Sequence, residues 1–64
     1  MEGEVKFYNS QKGFGFIIHP KGGKDIYFNK VDVLGDVELR EGDNVYFELV
    51  EEIRGYIAKN VKKL

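Results

Sequence analysis

Apolar and polar positions alternate along most of this 64-residue chain, in short runs broken by Gly, Asn, Ser and Pro. A period of two marks strands with one buried face. Glu2 to Asn9 reads as a first strand, with Val5 and Phe7 on one face and Lys6 and Tyr8 on the other. Asn9-Ser10-Gln11-Lys12-Gly13 is a turn by composition, because Asn and Ser side chains bond the local backbone and Gly accepts positive φ. Phe14 to His19 is the second strand, ended by Pro20, which cannot donate to a ladder. Lys21-Gly22-Gly23-Lys24 then closes a hairpin into a third strand, Asp25 to Asn29. Lys30 to Gly35 is too short for an independent helix and predicts a single helical turn, followed by a loop through Glu38. Past a Gly turn at Leu39 to Asp43, Val45, Phe47 and Leu49 alternate with Tyr46, Glu48 and Val50 in a fourth strand, Asn44 to Glu51. Glu52 to Gly55 turns the chain into a fifth strand, Tyr56 to Val61, and Lys62-Lys63-Leu64 is expected to fray. Five short strands and one longer connection after the third describe a small barrel, whose closure removes exposed edges.

One run resists this inside-out logic. In Lys12-Gly13-Phe14-Gly15-Phe16-Ile17, Phe14 and Phe16 share a face while Gly13 and Gly15 leave the other face bare. A strand so poor in apolar bulk is a weak core element, but it suits a platform of flat rings on which unstacked bases lie. Tyr27, on the next strand, shares that face, whereas Ile26, Phe28 and Phe47 have the parity of the core. For Phe7 and Tyr8 both to join the platform, the first strand needs a bulge between them.

Charge changes the picture. The net charge is only −1, which argues against a polyanionic partner until its distribution is considered. Residues 5–30 carry Lys6, Lys12, Lys21, Lys24 and Lys30 against Asp25 alone, and the platform aromatics lie among them. Residues 31–58 carry eight carboxylates against Arg40 and Arg54. Such asymmetry fits one face for a polyanion and another for solubility. With no Cys and a single His, His19, no disulfide, thiolate or His-rich metal site is available, so no metal and no cofactor are expected. His19 beside Pro20 reads as a strand-end residue at the rim, and no acid or nucleophile is placed to make it catalytic, so the chain is not expected to be an enzyme. The Gly-rich turn at Lys21 to Lys24 lacks the Gly-Lys-Ser/Thr ending and the following helix of a phosphate-binding loop. The charged start, Met1-Glu2-Gly3-Glu4, is unlike a signal peptide, and no apolar run reaches the roughly 20 residues of a bilayer span, so a cytoplasmic protein without membrane contact is expected.

With these residues laid out, the chain resembles a cold-shock domain from Glu2 to about Val61. The first-strand signature Gly-x-Val-Lys-aromatic-aromatic-Asn stands as Gly3-Glu4-Val5-Lys6-Phe7-Tyr8-Asn9. The first ribonucleoprotein motif stands as Lys12 to Ile17 at the family's spacing, and the second, degraded, as Asp25-Ile26-Tyr27-Phe28-Asn29. The resemblance implies an all-β fold, a five-stranded antiparallel OB-type Greek-key barrel, formed by residues 1–64 as one domain. It also implies binding of single-stranded RNA and DNA, with RNA-chaperone activity affecting transcription or translation. The chain departs from the family where Phe7 replaces the usual Trp, where Asn29 and Lys30 replace a His and an aromatic, and where Val37 and Glu38 replace a further exposed aromatic. These changes predict a smaller stacking area and a larger share for charge.

The candidate nucleic-acid-binding residues are therefore Lys6, Phe7, Tyr8, Lys12, Phe14, Phe16, Tyr27, Asn29, Lys30 and Arg54. Each stacked base is worth about 1–3 kcal/mol, so three or four rings outweigh a slightly negative net charge. A monomer with no small-molecule substrate is expected. The competing reading is an OB-fold protein-interaction module with weakened nucleic-acid binding, in which the same aromatic face is covered by a protein.

Overall fold

The computed structural model describes residues 1–64. Five strands, β1 (Glu2–Asn9), β2 (Phe14–Ile18), β3 (Ile26–Asn29), β4 (Asn44–Glu52) and β5 (Gly55–Lys63), form a closed barrel in the order β1-β2-β3-β5-β4. The one helical element is a single 3-10 turn, Lys30–Asp32. The first three strands form an antiparallel meander, and β4 and β5 a long hairpin. Closure comes from a short β1–β4 pairing and from β3 against β5, which run parallel, so the barrel is mixed at this one seam rather than wholly antiparallel.

Inward alternation builds most of the core, and a bulge in β5 between Lys59 and Lys62 turns Val61 inward with Ala58. Val5, Ile17, Ile26, Phe28, Val45, Phe47, Ala58 and Val61 are buried on the strands, and Leu39 comes from the connection after β3 to complete the cluster. That connection is tied down by a Val33–Val61 bridge and by the Leu34 N–H donating to the Val61 carbonyl at 2.7 Å. Burying each large side chain contributes about 1.5–3 kcal/mol, and without disulfides this packing has to offset the chain entropy.

A bulge in β1 decides which aromatic faces where. Val5 pairs with Ile17 and Phe7 with Phe16, so Lys6 is the extra residue. The bulge therefore lies before Phe7 and not between Phe7 and Tyr8. It separates Phe7 from Val5, turning Phe7 outward beside Phe16 and Tyr8 inward opposite Gly15. Tyr8 lies flat against Phe28, with centroids 5.6 Å apart at 14°. Gly15 is what makes room for this stack: a Cβ there would meet the Phe28 ring at 2.6 Å. The bare face of β2 is thus a slot in the core filled by its neighbours' rings.

Two further expectations are corrected. The C-terminal lysines are not frayed: β5 continues to Lys63, the Leu64 N–H donates to the Asn44 carbonyl at 3.0 Å, and the Lys63 Nζ lies 3.5 Å from the Asp43 carboxylate. The Arg40 N–H also donates to that carboxylate at 2.9 Å, and this bond, aided by Lys63, holds the Asp43 carboxyl below its ordinary value. His19 is not at an open rim. It is buried, its Nδ1 accepts from the Lys21 N–H at 3.1 Å, and its ring packs 5.2 Å from that of Tyr56.

Candidate nucleic-acid interface

Because β1, β2 and β3 pair in register, their outward side chains fall into rows. Phe7 sits opposite Phe16, Phe16 opposite Tyr27, and Phe14 opposite Asn29. The result is a continuous patch of four rings. Phe14 is its centre, 5.9 Å from Phe7, 6.0 Å from Phe16 and 6.2 Å from Tyr27. Phe16 and Tyr27 close the set at 5.9 Å, edge to face. Edge-to-face and offset contacts of this kind hold the rings in one cluster. Phe7 is 43% exposed and Tyr27 36%, and Phe14 and Phe16 are half-buried.

Lysines border this patch. The turn after β1 is organised by Asn9, whose Oδ1 accepts from the N–H groups of Gln11 and Lys12 at 3.0 and 2.9 Å. The Lys30 N–H donates to the Gly13 carbonyl at 2.8 Å, which brings Lys12 and Lys30 to the same end of the platform. Both are exposed. Lys6, displaced outward by the bulge, lies at the opposite end, where its Nζ donates to the Asp25 carboxylate at 2.8 Å. Asn29 ends β3 and its Oδ1 accepts from the Val31 N–H at 3.1 Å, capping the 3-10 turn.

Phe7, Phe14, Phe16, Tyr27, Asn29, Lys6, Lys12 and Lys30 therefore share one face. Tyr8 lies on the core side of β1 and is not part of the ring patch. Arg54, on the β4–β5 turn, reaches the margin through a groove of about 470 Å³ that it lines with Phe16, Tyr27, Lys24, Asp25, Glu52 and Tyr56. Lys24, Asp25, Glu52 and Tyr56 were not among the candidate binding residues, although the sequence set Lys24 among the basic residues of the platform half and Asp25 in the second motif. Parallel pairing of β3 with β5 sets Tyr27 beside Ile57 and so creates this groove, and strand periodicity carries no signal for that partner.

A family model described as 'Cold-shock' DNA-binding domain matches residues 1–64. The chain belongs to this family. It is 47% identical over 64 residues to the cold shock protein CspD of Bacillus subtilis (strain 168), covering 97% of this chain and 96% of that protein. Against the cold shock protein ScoF of Streptomyces coelicolor it is 39% identical over 61 residues, covering 92% of this chain and 91% of that protein. A solved structure of drosophila Unr shares the fold, with a TM-score of 0.82 at 23% identity over 98% of this chain and 26% of that one. Cold-shock domains are nucleic-acid binders, and the exposed ring patch of this cold-shock domain is the surface suited to that activity. No helix is long and apolar enough to cross a membrane.

Proposed function

We propose that this cold-shock domain, residues 1–64 acting as one unit, binds single-stranded RNA and DNA by stacking bases on Phe7, Phe14, Phe16 and Tyr27. The observation that carries this reading is the ring patch itself: four rings linked through Phe14 on the outside of a barrel whose core is complete without them. Unpaired bases have exposed π-faces and duplexed bases do not, so a flat aromatic surface favours single strands. Lys12 and Lys30 at one end, and Lys6 and Arg54 at the other, neutralise phosphates along the track and set the salt dependence. Bases held on the rings cannot pair, so binding shifts hairpins toward open forms without nucleotide hydrolysis. This is an RNA-chaperone activity that affects transcription or translation. The domain binds rather than catalyses, works as a monomer without a cofactor and resides in the cytoplasm.

The test is a backbone amide NMR titration with a short oligopyrimidine at low and at moderate salt. Shifts centred on Lys6 to Phe7, Lys12 to Ile17 and Tyr27 to Lys30 that persist at moderate salt are expected. Shifts that vanish with salt, or that spread evenly over all lysines, would reject the stacking platform.

A further inference from the structure

The barrel closes unevenly along β4. β1 pairs with it only from Glu2 opposite Tyr46 to Glu4 opposite Asn44, and Met1 adds the last rung: its ammonium donates to the Phe47 carbonyl at 2.9 Å, and the Phe47 N–H donates to the Met1 carbonyl at 2.8 Å. The pairing with β1 stops there. β4 runs on to Glu52, held by β5 on its other side as far as Glu52 opposite Gly55. Successive residues of a strand aim their N–H and C=O groups to alternate sides. Leu49 and Glu51, which follow Phe47 by steps of two, therefore present theirs to the side that β1 no longer covers. β4 keeps its regular count here, because the extra residue of this hairpin lies on β5. None of the turn and loop hydrogen bonds reaches these groups.

A row of unpaired N–H and C=O groups is a template for another strand. The side chains around the row decide which strand it accepts. Glu48, Val50 and Glu52 share the outer face and are exposed, as is Glu51. Carboxylates repel phosphates, so this edge differs in kind from the lysine-bordered ring patch, from which β5 separates it. A second copy of the chain is disfavoured as well. Antiparallel self-pairing about Val50 sets Glu48 opposite Glu52 twice, and like charges directly opposite one another destabilise a ladder. The complement is a strand with a cation, an apolar side chain and a cation at alternate positions.

We propose that the β4 edge from Glu48 to Glu52 is a docking site for an extended basic segment of another protein. The segment adds as a strand by exchanging backbone hydrogen bonds with Leu49 and Glu51, sets an apolar residue beside Val50 and pairs cations with Glu48 and Glu52. The site is independent of base stacking, and the ring patch stays open while the edge is filled.

The probe is the acetylated, amidated peptide Thr-Lys-Thr-Val-Thr-Lys-Thr, titrated into isotope-labelled protein and followed by amide NMR and deuterium exchange. Before it is added, the Leu49 and Glu51 amides should exchange faster than that of Val50, which faces β5. The peptide should shift amides from Glu48 to Ile53 and, at about ten times its dissociation constant, slow exchange at Leu49 and Glu51 about 10-fold. A peptide with Glu in place of both Lys should bind about 10-fold more weakly. Glu51→Pro removes an edge N–H and spares the ladder to β5, so it should weaken binding about 3- to 10-fold beyond Glu51→Gln, which loses only the charge. The double variant Glu48→Gln, Glu52→Gln leaves the backbone unaltered and should bring the two peptides to within about 2-fold of each other. Four results would each overturn the assignment: no shift with the Lys peptide, shifts centred on Phe16 and Tyr27 instead, equal binding of the two peptides, or slow exchange at Leu49 and Glu51 in the free protein.

Discussion

The meander β1–β3 and the hairpin β4–β5 contribute to one core by the same rule and differ on the outside. Val5, Ile17, Ile26 and Phe28 from the first, and Val45 and Phe47 from the second, are buried by the same alternation, and a bulge in β5 between Lys59 and Lys62 brings Val61 inward with Ala58. On the outer surface the meander carries Phe7, Phe14, Phe16 and Tyr27 with lysines at both ends, whereas the hairpin sets Tyr46 opposite Lys62, Glu48 opposite Lys59 and Val50 opposite Ile57. The hairpin's outer pairs are of the ordinary surface kind, such as Glu48 opposite Lys59, and the Asn60 side chain also bonds the Glu48 carboxylate. Cross-strand pairs of this sort contribute a few tenths of a kcal/mol to about 1 kcal/mol. The meander has put its outward positions to another use. Folding needs only the inward half of each strand, so the outward half is free to carry function.

The largest expected effect comes from the shared interior. Phe28→Ala removes the ring that Tyr8 stacks upon and should cost about 3–5 kcal/mol, comparable to the whole stability of a domain this small, read as loss of the cooperative urea transition. Gly15→Ala tests the same place from the other side. Its Cβ would meet the Phe7 carbonyl oxygen at 2.5 Å and the Phe28 ring at 2.6 Å, so both the β1–β2 backbone and the ring must shift, and overpacking of this kind predicts a loss of at least about 1–3 kcal/mol in the same assay. A destabilisation near zero would mean that the slot in β2 is not a tight one.

The outer surfaces should separate binding from folding. Phe14→Ala is expected to weaken single-strand affinity by about 1–3 kcal/mol. Its stability cost should stay below that of Phe28→Ala, because Phe14 is only half-buried and lies outside the core. Tyr46→Ala, an exposed aromatic on the hairpin, should leave affinity unchanged. Equal effects of the two on affinity would erase the contrast between the faces. Lys12→Gln should lower the slope of log affinity against log salt by about 0.7, one phosphate's share on a single strand, without a change in unfolding midpoint.

The smallest effect belongs to the hairpin's entry. Asp43 is held below its ordinary carboxyl value chiefly by the Arg40 N–H, with Lys63 assisting. A folded-state value below the unfolded one means that its contribution is fully present above the unfolded value, near pH 4, and fades as pH falls through the folded one. Asp43→Ala should therefore be less stable than the parent at neutral pH, and the difference should shrink in thermal melts taken below pH 4.

Much of the fold was legible because its signals are local. Alternation located all five strands to within two residues at each end. Composition placed the turns, and the Asn9 side chain does bond the backbone of the turn that it opens. The shared parity of Phe14, Phe16 and Tyr27 with Asn29 also followed from counting by twos. What counting could not supply was an interruption in the count. The bulge at Lys6 shifts the parity of everything after it in β1, and it is why Phe7 points outward and Tyr8 inward. Nothing in Val5-Lys6-Phe7-Tyr8 marks where the extra residue falls, because Lys, Phe and Tyr are each tolerated on a half-exposed strand face.

By itself, then, the order of residues determined the five strands, the inward parity of Ile26, Phe28, Val45 and Phe47 and the rings of β2 and β3, since each depends only on neighbours along the chain and on strand periodicity. Only the tertiary structure decided the places of the bulges in β1 and β5, the parallel seam between β3 and β5 and the burial of His19. It alone also decided the groove that joins Arg54 to the ring patch. These depend on which strand lies beside which when the barrel closes. That choice is made by the fit of Phe28, Tyr8 and their neighbours into one small interior, and no single stretch of sequence contains it.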